Sequence, residues 1–325
     1  MFSKIILGLV LLFAINTVAQ EKMNKLVLSG PMASVSHPLI HMIETGALKD
    51  VAQKIEFRMW NNPDELRALT LKGGADFIAI PTNVAANLYN KGVDIKLVNV
   101  SVWGILNILT RDKTLKTLAD FKGKEIAMPF RADMPDIVFE EIIKKQGMDL
   151  KKDFKLKYLG SPIDAMQMLI MRRVDHALLA EPATSMALRK TQSYPLKLVA
   201  PDLYRGPDLQ KEWGKTFNVA SRIPEAGVSV IGDAGNNKYL IKRFNEEYAK
   251  SLAWYKANPV KAGKMVAKYI SMLDADAVAD SINYVTLDMV DAKDSRKDLE
   301  FFFGILKSNN PKSIGNKIPD SGFYY

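Results

Sequence analysis

The segment 73–92, GGADFIAIPTNVAANLYNKG, limits the possible folds more than any other stretch. Residues 77–80 form a short apolar run of buried-strand character. Pro81-Thr82-Asn83 breaks it, and residues 83–90 have helical composition closed by Lys91-Gly92. A buried strand that ends at a small polar turn and passes into a helix belongs to α/β proteins, which hold small ligands at such turns.

The same unit recurs. Strands are expected at 25–29, 55–59, 77–80, 95–100 and 105–110, with helices at 38–45, 62–72 and 83–90 between them. Pro38 and Pro63 suit first helical turns, where no N–H is needed, and Asn62 suits an N-cap. After a capped turn at 117–124 the alternation restarts. Strands are expected at 125–128, 155–159, 177–179 and 196–199, with helices at 137–146, 163–172 and 183–190. Residues 202–221 read as loop-rich and 228–231 as a further strand. Beyond it the chain reads as nearly all helical: 237–258, 259–269, 275–282 and 295–308. Two βαβα series predict an α/β protein of two lobes, each with a mostly parallel sheet. The helical tail is expected to return and pack on the first lobe. Lobe 1 then comprises 20–110 and 225–325, and lobe 2 comprises 111–224, with crossings near 111–115 and 221–227. A ligand between the lobes would be enclosed by a hinge motion.

The N-terminus carries Lys4, an apolar run of eleven residues from Ile5 to Ile15, and small residues at Thr17-Val18-Ala19. The run is shorter than the ~20 residues that span a bilayer. This is the pattern of a signal peptide, spanning 1–19 and cut after Ala19, and it predicts export to the periplasm. The chain has no cysteine. That excludes disulfides, thiolate metal sites, cysteine nucleophiles and iron–sulfur clusters. The formal charge of +9 falls to +8 without Lys4 and is spread along the chain. It reads as a solvated surface and not as a nucleic-acid face. No serine nucleophile elbow, phosphate loop or zinc-type histidine pair is present, so no catalytic constellation, and hence no enzyme, is expected.

The 73–92 segment, the LADFKGKEIAMP restart at 118–129 and LLAEPATSMAL at 178–188 together resemble periplasmic solute-binding proteins of ABC importers. The similarity is to the nitrate/sulfonate/taurine branch, which includes receptors for thiamine-precursor pyrimidines, and it extends over essentially the whole mature chain. It implies a type II-like two-lobed fold, a solute receptor of small polar or anionic molecules, no cofactor, an inner-membrane permease as partner, and a monomer.

Within that resemblance the loop Ser34-Val35-Ser36-His37-Pro38 lines the cleft, and Ser34, Ser36 and His37 become ligand candidates beside their plainer reading as helix caps. Trp60, Asn61 and Trp103 follow first-lobe strands and offer flat faces, donors and an acceptor, or else packing and capping. Thr82 and Asn83 form the turn that matches the family. In the second lobe Phe130, Arg131 and Asp133 form the facing loop. Arg131 could clamp an anion in a bidentate manner, whereas Asp133 or Asp136 would neutralise it or cap the next helix. Ser161, Asp164 and Glu181 complete the set, and a buried Glu181 would need a positive or N–H partner. Two alternatives remain. His37 and His41, one helical turn apart, could hold copper or zinc with nearby Met32 and Met42. An enzyme of the same fold in pyrimidine metabolism would carry a cysteine-rich motif, which this chain lacks.

Overall fold

The computed structural model describes residues 22–325. The expected signal segment lies outside these residues. The first sheet contains β1 (Met23–Gly30), β2 (Ala52–Met59), β3 (Phe77–Pro81) and β4 (Ile95–Gly104). The second contains β5 (Leu106–Thr110), β6 (Glu125–Pro129), β7 (Lys155–Leu159), β8 (His176–Ala180) and β9 (Tyr204–Asp208). The chain then returns to the first sheet with β10 (Ala226–Ile231) and β11 (Thr286–Asp291). The spatial orders are β11-β4-β10-β3-β1-β2 and β7-β6-β8-β5-β9.

Both sheets are mixed, which corrects the expectation of mostly parallel ones. The βα-connected strands pair in parallel, β1 with β2 and β3, and β6 with β7 and β8. The strands that carry the chain across run antiparallel: β10 between β3 and β4, and β5 between β8 and β9. The strand that enters each sheet from a crossing starts at the edge where the βα-connected strands end, Ala226 beside Pro81 and Leu106 beside Ala180, and so runs opposite to them.

The helices are α1 (His37–Thr45), α2 (Pro63–Leu71), α3 (Thr82–Asn90), α4 (Met134–Lys145), α5 (Leu150–Asp153), α6 (Pro162–Ile170), α7 (Ala183–Gln192), α8 (Leu196–Val199), α9 (Leu209–Phe217), α10 (Lys238–Ala257), α11 (Pro259–Tyr269), α12 (Ala275–Ser281) and α13 (Arg296–Asn309). Their starts follow local chemistry. Asn62 accepts from the N–H groups of Asp64 and Glu65, Asp133 from Met134, and Ser161 from Asp164. α1, α2, α4 and α6 each have proline in the first two positions, where a missing N–H costs nothing.

Three expectations fail locally. Leu196–Val199 is a helical turn and not a strand; a four-residue apolar run does not distinguish the two. The region 202–221 contains β9 and α9. Gly206 and Pro207 disguise β9, and an edge strand tolerates both. The tail contains β11, an edge strand whose Asp288 and Asp291 resemble loop residues.

The first crossing is shorter and earlier than expected. β4 ends at Gly104 and β5 begins at Leu106, so Ile105 alone joins the sheets. β5, which lies in the span expected for lobe 1, belongs to the second sheet. The second crossing runs beside the first. Ile223 N–H donates to Trp103 O at 2.8 Å, and Glu225 N–H to Val102 O at 3.1 Å. The C-terminal helices pack mainly on the first sheet. Phe244 of α10 stacks on Phe77 of β3, ring centroids 3.9 Å apart, in a pairing of buried aromatics that contributes beyond area alone. α12 and α13 also reach the second lobe. Arg189 of α7 pairs with Asp280, and Asn309 bonds Glu141 of α4.

Candidate functional site

Turns at strand ends of both sheets enclose a cavity of about 140 Å³. The first lobe contributes Met32, Val35, Trp60, Asn61, Ile80, Pro81 and Val102. The second contributes Leu106, Pro129, Phe130, Met134, Ile163 and Glu181. Ile105 and Glu225, from the two crossings, complete one side, and Leu273 closes another. No lysine, arginine or histidine lies on this wall.

Of the expected ligand residues, Trp60, Asn61, Phe130 and Glu181 line the cavity. Trp60 presents its ring, but its indole N–H is committed to Ala79 O at 3.1 Å. The Asn61 side-chain amide and backbone N–H both donate to Glu65. Phe130 has φ +61°. A bulky residue rarely occupies the left-handed region, and strain of this kind is commonly held at ligand walls. Ala132 beside it has φ +57° and donates its N–H to Asp136 at 2.7 Å.

Glu181 is fully buried. Its Oε1 pairs with Arg205 of β9, and its Oε2 accepts Ser185 N–H at 3.0 Å. Burial pushes its carboxyl upward in pKa, and Arg205 opposes that shift. The positive partner that Glu181 requires is thus supplied by the protein. Arg205 also lies 3.6 Å over the Tyr284 ring. It escaped sequence reasoning because it sits in the stretch read as loop.

The other candidates lie elsewhere. Ser34, Ser36 and His37 are buried behind the wall. His37 Nδ1 bonds Tyr255 Oη at 2.8 Å, and burial lowers its pKa to about 3. His41 Nδ1 bonds Ser251 Oγ at 2.9 Å and its ring stacks on Trp254. Both histidines therefore fasten α1 to α10. Among the described residues no group of three or more His, Cys, Asp or Glu is placed to hold a metal.

Trp103 is buried within β4. Its indole N–H donates to Asp288 O at 2.7 Å, and Arg222 lies 3.5 Å over its ring. Thr82 donates its hydroxyl to Pro224 O and its N–H to Glu225 O, so the turn that matches the family grips the second crossing. Asn83 is buried beside it. Arg131 is exposed, 5.3 Å over the Tyr158 ring. Asp133 caps α4 and lies 3.7 Å from Arg67 of α2, across the cleft. Ser161 and Asp164 bond each other in the α6 cap. His176 bonds Thr110.

Glu225 is the wall residue that sequence reasoning missed. It is 2% exposed, and its Oε1 has no hydrogen-bond partner among the described residues. Burial raises its pKa to about 8, against the lowering effect of a bond from Ile105 N–H. The carboxyl is therefore protonated at neutral pH. Its sequence signal was weak, a lone glutamate between Pro224 and Ala226 in an expected crossing.

No family model matches the sequence, and no curated protein matches it either. Solved structures do. An ABC transporter protein from Parabacteroides distasonis is 23% identical, with a TM-score of 0.76 over 93% of this chain and 99% of that one. The periplasmic aliphatic sulphonate binding protein SsuA from Escherichia coli is 18% identical, with a TM-score of 0.66 over 92% and 95%. The periplasmic nitrate-binding protein NrtA from Synechocystis PCC 6803 is 14% identical, with a TM-score of 0.68 over 90% and 84%. At such identities the likeness is one of fold. This chain has the α/β fold of the solute-binding proteins of ABC importers, including those that bind nitrate and sulfonates.

Proposed function

We propose that this protein is an extracytoplasmic solute receptor that closes over one small molecule and presents it to an ABC permease in the inner membrane. The observation that carries this reading is the cavity at the strand-end turns of two sheets joined by only two crossings. In this arrangement the crossings act as the hinge. The lobes comprise residues 22–105 with 226–325, and residues 106–225. The protein acts as a monomer, without cofactor and without chemical turnover. Trp60, Phe130, Glu181 and Glu225 are the ligand-contacting residues. Among the described residues no helix is long and apolar enough to cross a membrane, which accords with an exported receptor released by signal cleavage.

Native mass spectrometry of protein isolated from its own periplasm tests the reading. A chemically unchanged small molecule bound one to one is expected. Phe130→Ala should lower its affinity by one to two orders of magnitude, since an aromatic wall ring contributes roughly 1.5–3 kcal/mol when buried. Absence of any bound molecule, with no hit in a calorimetric panel of anions, sulfonates, organic acids, amides and amines, would overturn it.

A further inference from the structure

The fold places helix starts around the cleft, and free helix N-termini attract anions. In this chain a side chain already occupies four of those starts, taking one or two N–H groups at each. Asn62 caps α2, Asp133 caps α4, Ser161 caps α6, and Glu181 accepts the Ser185 N–H at the start of α7. Two of these four acceptors are buried carboxyl groups. α1 and α3 lack a side-chain cap, but their first residues, His37 and Thr82, do not line the cavity. The side-chain donors on the wall are also engaged, Trp60 by Ala79 and Asn61 by Glu65. No cationic side chain lines the wall. What remains is an apolar enclosure and one buried carboxyl oxygen without a partner, Glu225 Oε1, in a group that can donate as well as accept while it is protonated.

We infer that the cavity takes a compact, mostly apolar organic molecule that carries a hydrogen-bond donor and no negative charge, and that Glu225 receives that donor. This inference rests on the receptor reading above and narrows the solute from the polar or anionic class expected from sequence. An apolar cavity of about 150 Å³ is known to accommodate benzene, so the 140 Å³ available is on the scale of one six-membered ring. An anion placed there would lose its hydration and meet no positive charge, with the single carboxyl O–H of Glu225 as its side-chain donor, whereas an amide or amine would satisfy a buried oxygen that otherwise has no partner. A monocationic amine would also take up the negative charge of Glu225, which gives up its proton when the pair forms.

Calorimetry at pH 7 on the mature protein, with probes of matched size, tests the inference. Benzamide and benzylamine are expected to bind, toluene at least tenfold more weakly, and benzoate, butanesulfonate and nitrate not at all. The heat for benzylamine should vary with the ionisation enthalpy of the buffer, reporting one proton released, and that for benzamide should not. Glu225→Gln should abolish the proton release while the circular dichroism spectrum stays that of the wild type, which excludes loss of folding as the cause. Binding of benzoate or butanesulfonate as strong as that of benzamide would overturn the ligand class while leaving the receptor reading intact. Failure of all six probes, together with no molecule recovered from the periplasm, would overturn both.

Discussion

Glu225 and Phe130 show how single residues can be held in unfavourable states by the surrounding fold. A carboxyl with a folded pKa of about 8 binds a proton that the unfolded chain has already lost above pH ~4.5. Its stabilising effect is complete below that pH and declines as pH rises towards 8. Stability should therefore fall between these limits by up to roughly 1.4 kcal/mol per pH unit from this group alone. Other buried carboxyls, including Asp133 and Glu181, are shifted the same way, so the wild-type slope is composite. The difference between wild type and Glu225→Gln in urea titrations at pH 5, 7 and 9 isolates Glu225. The variant should gain on the wild type as pH rises. Equal slopes would contradict a buried, protonated Glu225. None of this was readable from sequence, because burial of one glutamate depends on which strand ends surround it. That Ser34, Ser36, His37 and Arg131 lie outside the cavity wall was unreadable for the same reason. A loop's position was legible, but the direction of its side chains was not.

At the scale of elements, the strand–turn–helix unit at 73–92 was legible almost in full, since β3, the Pro81 break and α3 fall where its composition places them. Helix starts with Asn or Asp caps and proline were equally legible. β9, α9 and β11 were not, because edge strands carry Gly, Pro and Asp that also mark loops. The join between β4 and β10 depends on backbone proximity that no composition reveals. A Cβ on Gly227 would lie 1.8 Å from Asn99 O, within the irregular register of that pair. Gly227→Ala should thus force the strands apart. We expect a loss of about 1–3 kcal/mol, in line with overpacking elsewhere, measurable as a lower urea midpoint. An unchanged midpoint would mean that the two strands relax freely.

At the scale of the molecule, two features hold the lobes around the cavity. The C-terminal helices brace the back through Arg189–Asp280 and Glu141–Asn309. Arg67 faces Asp133 at 3.7 Å across the front. Arg67 is 43% exposed, so the pair contributes no more than about 1 kcal/mol. Arg67→Ala should raise the ligand dissociation constant two- to fivefold and enlarge the radius of gyration in small-angle scattering without ligand. No change in either would assign the pair to the surface alone.

The one-residue crossing gives the molecule a built-in gauge. Ile105 donates its N–H to the Glu225 carboxyl and accepts the Glu181 N–H at its carbonyl, at 3.1 Å. Its amide thus belongs at once to the connection between the lobes and to the wall that meets the solute. Hydrogen exchange at that single amide should slow when the cavity is occupied and quicken when the lobes part, so that occupancy and shape can be followed from one backbone proton.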